Sequence, residues 1–172
     1  MTRHKNSRSL YTEAERKRRD ETRWTLVQGI LAPLQFLVFL VSFALVIRYL
    51  GTGEGYLAAT VSIVVKTLIL YAIMVTGSIW ERVVFGRWLF APSFFWEDVV
   101  SMLVMALHTA YLAALVVGVM EARHLMLLAL AAYAAYVINA MQFLLKLRSA
   151  RLEQPERRAG PASATAAGYA AE

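Results

Sequence analysis

The stretch WTLVQGILAPLQFLVFLVSFALVIR, residues 24–48, decides what kind of protein this is. From Trp24 it meets no charged side chain until its last residue, Arg48. As a helix rising 1.5 Å per residue it extends about 37 Å, more than the ~30 Å hydrocarbon core of a bilayer. A membrane β-strand needs only about ten residues for the same crossing, so a run this long reads as helix. Three further runs share the character, near 56–80, 98–119 and 124–146. The expected fold is an all-α integral membrane protein, a four-transmembrane-helix bundle.

Composition agrees. The 172 residues are 59% hydrophobic and 17% charged, whereas a soluble domain is about half apolar and about a quarter charged. Charge gathers at the ends. Eight Lys/Arg lie in 1–23, Arg82 and Arg87 in the second connection, and five from Lys146 onward, against Arg48 and Arg123 on the other side. The positive-inside rule then makes both termini and the 81–97 segment cytoplasmic. The chain divides into a basic cytoplasmic segment over 1–23, the transmembrane domain over 24–147, and a cytoplasmic tail over 148–172. That tail is rich in Glu, Arg, Pro, Gly and Ala and is expected to be disordered. Basic tails beside apolar spans point to anionic lipid rather than nucleic acid as partner. The first apolar run is too long for a cleaved signal peptide and is followed by no small-x-small cleavage region. With no cysteine, disulfide and thiolate chemistry are excluded.

The connections differ sharply. Gly51, Gly53 and Gly55 make the first a tight turn. The third, 119–124, is short enough to make helices three and four antiparallel neighbours. The second, 81–98, is long and aromatic: Phe85, Trp88, Phe90, Phe94, Phe95 and Trp96 accompany Arg82 and Arg87, and Pro92-Ser93 breaks it. Such a segment lies in the interface plane or folds back over the bundle mouth. It reads equally as an anchoring belt and as a lid or wall for a flat apolar ligand.

Polar residues inside the spans need a partner or a purpose. Lys66 stands about ten residues into the second span and is expected to face the bundle interior, as a donor toward substrate or as a structural contact. Glu97, Ser101, Val104, His108 and Tyr111 recur at three- and four-residue spacing and share one helical face. This stripe leads from a carboxylate at the cytoplasmic mouth to an imidazole about 15 Å deeper, with Asp98 one position round. At that depth a histidine serves as an axial ligand, a proton donor or a packing contact. Thr25, Gln28, Gln35 and Ser42 share a face of the first span. Tyr136, Asn139 and Gln142 stand on the fourth amid alanines. These groups finish a polar interior or act as hydrogen-bond glue. No phosphate loop or His-x-x-x-His occurs.

Several strings carry a resemblance: WTLVQGILAPLQFLVFL (24–40), KTLILY (66–71), WERVVFGR (80–87), FFWEDVVSM (94–102), HTAY (108–111) and AAYVINA (134–140). Taken together they resemble the 3-vinyl bacteriochlorophyllide hydratase family, whose older name is 2-vinyl bacteriochlorophyllide hydratase, over about 10–147. The resemblance implies a multi-pass enzyme of the bacterial cytoplasmic membrane, or of its intracytoplasmic photosynthetic extension. Its reaction would add water to the C3 vinyl group of chlorophyllide a or bacteriochlorophyllide, leaving a 1-hydroxyethyl group. No cofactor is implied, because the magnesium belongs to the substrate.

On that reading Glu97 or Asp98 supplies the proton or positions water, and His108 ligates the magnesium or assists proton transfer. Arg82 and Arg87 meet the propionate. The wider substrate cradle comprises Lys66, Glu81, Trp88, Phe94, Trp96, Tyr111, Asn139, Gln28 and Gln35. Expected partners are the chlorophyllide, anionic lipids, neighbouring pigment-biosynthesis enzymes and a second copy of the chain that completes the small interior. Two other classes compete: a tetrapyrrole- or quinone-binding membrane protein without turnover, and a structural assembly subunit.

Overall fold

The computed structural model describes residues 10–158. Its helices are α1 (Glu13–Glu21), α2 (Arg23–Thr52), α3 (Tyr56–Phe85), α4 (Phe95–Val117) and α5 (Ala122–Arg158). Four are long and apolar enough to cross a membrane: α2, α3, α4 and the Ala122–Ser149 part of α5. The all-α, four-span bundle expected from hydropathy is what the chain forms. With an even number of spans, both ends of the bundle lie on the side rich in Lys and Arg, named the basic side below.

The helices overrun the apolar runs that announced them. Hydropathy ends the second span at residue 80, but α3 continues through Glu81 and Arg82 to Phe85. It opens the third at 98, but α4 starts at Phe95. Hydropathy marks the hydrocarbon thickness, whereas a helix continues into the interface wherever its backbone bonds remain satisfied. The aromatic connection therefore shrinks from 81–97 to 86–94. Residues 148–158, expected to be disordered, are helical instead, because α5 runs on to Arg158. The rest of the expected disordered tail, 159–172, lies outside the described residues, as do residues 1–9.

Helix α1 falls within the basic segment, where the sequence pattern predicts no element. Thr12 and Glu15 form a capping box, with the Glu15 carboxylate accepting from the Thr12 N–H at 2.7 Å and the Thr12 hydroxyl from the Glu15 N–H at 3.3 Å. Its sequence, EAERKRRDE, is polar all round and gives no periodic signal.

Two helical hairpins make up the bundle. The α2–α3 turn places Gly53 and Gly55 at φ 76° and 84°, a left-handed region that side chains resist and that lets the chain reverse between Thr52 and Tyr56. Gln28 donates to Thr76 at 2.7 Å and Ser42 bonds Ser62 at 2.7 Å, which sets the antiparallel register. The α4–α5 hairpin is pinned by Asn139 donating to Ser101 at 2.6 Å and by the Lys146–Glu97 ion pair at 2.6 Å. Within each hairpin the packing is dense, and the two meet more sparsely along α3–α4 and α2–α5. Val46, Ala59, Ile63, Met126 and Ala129 are sealed at the centre of the half away from the basic side. The small residues among them allow close backbone approach. Leu37, Val41, Leu57, Leu68 and Val116 face outward, as lipid-exposed positions do.

Candidate active site

The seam between the hairpins collects the buried polar groups. On α4 the residues Glu97, Asp98, Ser101, Val104, His108 and Tyr111 are all buried, so the stripe read from spacing is an interior face. At the basic-side end Glu81 of α3 comes within hydrogen-bonding reach of Asp98. The 86–94 connection folds back over this pair. The Phe90 N–H donates to Asp98 Oδ2 at 2.8 Å and the Ala91 N–H to Glu81 Oε2 at 3.2 Å. Phe90 takes φ 58° to do so. For a bulky residue that conformation costs about 1–2 kcal/mol, and it persists only where surrounding contacts over-determine it.

Glu97 turns the other way. It pairs with Lys146 of α5 at 2.6 Å, and the ammonium also lies 5.1 Å from the Phe94 ring centre. The two neighbouring carboxyls are thereby differentiated: one is held by a cation, the other faces a second carboxyl.

The aromatic segment divides. Phe94 and Ala91 are buried, with Phe94 among Tyr11, Trp80, Phe85 and Phe143. Trp88 and Trp96 are 61% and 69% exposed on the outer surface. The belt and the wall are thus two faces of one segment. The chain before α1 clamps it: Tyr11 stacks on Phe85 at 5.7 Å, Ser93 donates to the Leu10 carbonyl at 2.9 Å, and Arg19 lies 4.8 Å from the Tyr11 ring centre. Arg82 caps its own helix through the Gly86 carbonyl. Arg87 is exposed and forms no ion pair among the described residues.

Ten residues deeper along α4, about 15 Å, lies a different arrangement. Lys66 is sealed from solvent, its ammonium 2.9 Å from His108 Nε2 and 4.3, 5.0 and 6.0 Å from the ring centres of Tyr136, Tyr133 and Phe39. His108 Nδ1 donates to the Val104 carbonyl at 2.8 Å, which leaves the Nε2 lone pair to accept from Lys66. Both ring nitrogens are engaged, so an axial bond from His108 to a magnesium has no free nitrogen in this arrangement. Tyr111 lies deeper still, in the apolar cluster around Ile63 and Met126, and is not brought to the mouth. Asn139 joins Ser101 between the two levels, and Gln28 joins Thr76 nearer the basic side. Gln35 is buried on the inward face of α2. An apolar groove on the lipid face, lined by Leu37, Val41, Leu57, Val61 and Val65, holds no ionisable group.

The family model described as 2-vinyl bacteriochlorophyllide hydratase matches residues 11–149, which include every span and the aromatic connection. The chain belongs to the 2-vinyl bacteriochlorophyllide hydratase family. A protein of that name from Cereibacter sphaeroides is 69% identical over 146 residues, covering 85% of this chain and 91% of the relative. Another, from Rhodobacter capsulatus, is 67% identical over 153 residues, covering 89% of each. No solved structure matches.

Within this hydratase-family chain, the sequence pattern singles out Glu97, Asp98 and Glu81 but sets Glu97 beside Asp98, whereas Asp98 faces Glu81. Adjacent residues on a helix point about 100° apart, so Glu97 and Asp98 reach different neighbours. The neighbour of Asp98 is set by where α3 ends, and that lies beyond the hydropathy signal. Lys146 gives no sign of being a partner, because it sits at the last apolar turn, where a cation reads as a flank. Tyr11 gives none either, because it precedes a helix with no periodicity.

Proposed function

We propose that this protein adds water across the vinyl group of chlorophyllide a or a bacteriochlorophyllide, giving a 1-hydroxyethyl group, and that Glu81 and Asp98 carry the proton transfers. Family membership supports the reaction class, and the facing carboxyls under the aromatic connection support the residues. Two facing carboxyls within hydrogen-bonding reach of each other favour sharing one proton, which on this reading makes the pair an acid and a base side by side. Hydration of a vinyl group needs both. The acid passes its proton to the terminal carbon, and the cation left on the inner carbon is stabilised by conjugation with the macrocycle. Water then attacks that carbon, and its surplus proton returns to the carboxylate pair. The alkene π bond is replaced by one C–H and one C–O bond, with no net redox change.

The 86–94 connection covers the pair from the basic side, so on this reading the macrocycle lies against the outside of the mouth. Trp88, Phe90, Phe95 and Trp96 offer an apolar aromatic flank there, and Arg87 a cation for the propionate. Glu97 and Lys146 hold the first turn of α4 in place and so position Asp98. The basic side faces the cytoplasm, where its Lys and Arg meet anionic headgroups. The membrane is the bacterial cytoplasmic one or its photosynthetic extension.

Membranes holding the protein, incubated with chlorophyllide a, are expected to yield a product heavier by one water. An absorption shift with no change of mass would replace this reading with a pigment-binding protein that does not turn over.

A further inference from the structure

Gln35 is an anomaly in the bundle. It is 2% exposed, and neither its amide nitrogen nor its amide oxygen has a hydrogen-bond partner among the described residues. The Gln28–Thr76 and Ser42–Ser62 contacts bracket it and place it at the level of Leu70. Leu70 packs with Val104 and Ala135 in one apolar cluster. A leucine at position 35 would suit that layer, whereas a buried amide there costs stability unless something bonds it. A second buried amide oxygen without a partner, that of Gln142, stands one turn beyond Asn139 toward the basic side. The Ser101–Asn139 hydrogen bond lies between them. Along α4, Val104 is six residues from Asp98, about 9 Å, with Ser101 midway. Polar groups therefore run from the Gln35 level to the carboxyl pair.

Buried polar groups that neighbouring side chains leave unsatisfied are the usual binding sites of internal water. The macrocycle placement proposed above calls for such a site. A flat macrocycle laid on the mouth covers it with an apolar plane and separates the carboxyls from bulk water. The nucleophile then has to come from the bundle side of the vinyl group. We propose that Gln35 anchors an internal water site, continued by Ser101, Asn139 and Gln142 toward Glu81 and Asp98, from which the added water is drawn. This rests on the hydratase reading above and assigns the source of the second substrate. Gln35 is on this account a positioning residue, since it meets water and not the reacting carbons.

The test compares Gln35→Leu, Gln35→Glu and the unaltered protein in one membrane assay, following kcat, KM for chlorophyllide and thermal unfolding. Gln35→Leu removes the polar anchor at nearly constant volume. It is expected to lower kcat about 100-fold with KM unchanged and with thermal stability equal or higher. Gln35→Glu keeps acceptors at the same reach and is expected to recover much of kcat while unfolding at a lower temperature. A purely structural glutamine cannot reverse the order of stability and activity in this way. Near-normal turnover by Gln35→Leu overturns the proposal, as does a loss that appears in KM or that follows stability in both variants. Absence of any hydrated product from the unaltered protein would instead sink the hydratase reading, and the water site with it.

Discussion

Two ionisable pairs bridge α3 and α4, and the function proposed above gives them opposite uses. Glu81 and Asp98 sit at the basic-side end, under a connection whose backbone N–H groups at Phe90 and Ala91 bond the carboxylates. Lys66 and His108 sit about 15 Å deeper, enclosed by Phe39, Tyr133 and Tyr136, with both imidazole nitrogens engaged. A pair that must exchange protons with a substrate needs a cover that can move and a proton that can leave. A pair that holds two hairpins together needs no free imidazole nitrogen and a cation enclosed by aromatic faces. Burial alone does not distinguish them, because all four side chains are buried. What distinguishes them is the nature of the cover: a strained loop at one level, a sealed aromatic cage at the other.

The strongest way to break this comparison is to neutralise the outer pair. Asp98→Asn and Glu81→Gln are each expected to lower kcat by roughly 10²–10⁴-fold while leaving KM and folding largely intact. Steady-state kinetics on membranes would check this, and near-normal turnover by both amides would remove the pair from the chemistry. At the inner pair the expected damage is to stability. Lys66→Met leaves His108 Nε2 buried without a donor and is expected to cost about 1–3 kcal/mol. The double variant Lys66→Met/His108→Leu should cost less than that single change, because it leaves no orphan. Thermal unfolding in detergent measures both, and a double variant worse than the single would contradict a structural role.

Smaller effects sharpen the contrast. Glu97→Gln weakens the Lys146 ion pair that holds the start of α4, and kcat is expected to fall about 10-fold, the consequence of slight misplacement of Asp98. A loss as large as that of Asp98→Asn would make Glu97 a direct participant. Arg87→Ala removes an exposed cation and is expected to raise KM for chlorophyllide about three- to five-fold, in line with a surface ion pair, with kcat little changed. An unaltered KM would leave the propionate without this partner.

How much of this is legible in the sequence follows from the physics of each signal. Residues 24–48 alone imply a membrane helix, because nothing else accommodates 24 uncharged residues before Arg48. The inward stripe of α4 is legible because helical spacing repeats along it, and Glu97, Ser101, Val104, His108 and Tyr111 are indeed buried. The pairing of Glu81 with Asp98 is not. It depends on α3 continuing past Trp80, and interface residues carry no hydropathy that marks a helix end. Lys66 is readable as inward, since an ammonium at mid-bilayer has few alternatives. Its aromatic cage draws on α2 and α5 and cannot be read from one helix. The capping box at Thr12 and Glu15 is present in the sequence but lies in a segment for which charge alone already gives an account.

The sequence by itself determined the solvent the protein lives in, the number of crossings, the sidedness of its charge and its family, since each of these is carried by local composition or by contiguous strings. Tertiary structure alone decided which carboxyl faces which, that His108 is occupied by Lys66, and that the aromatic connection turns Phe94 inward and Trp88 and Trp96 outward. These are contacts between residues far apart in the chain. Hydrophobicity places helices in a bilayer without setting their rotation and register, which packing and a few interhelical hydrogen bonds then select.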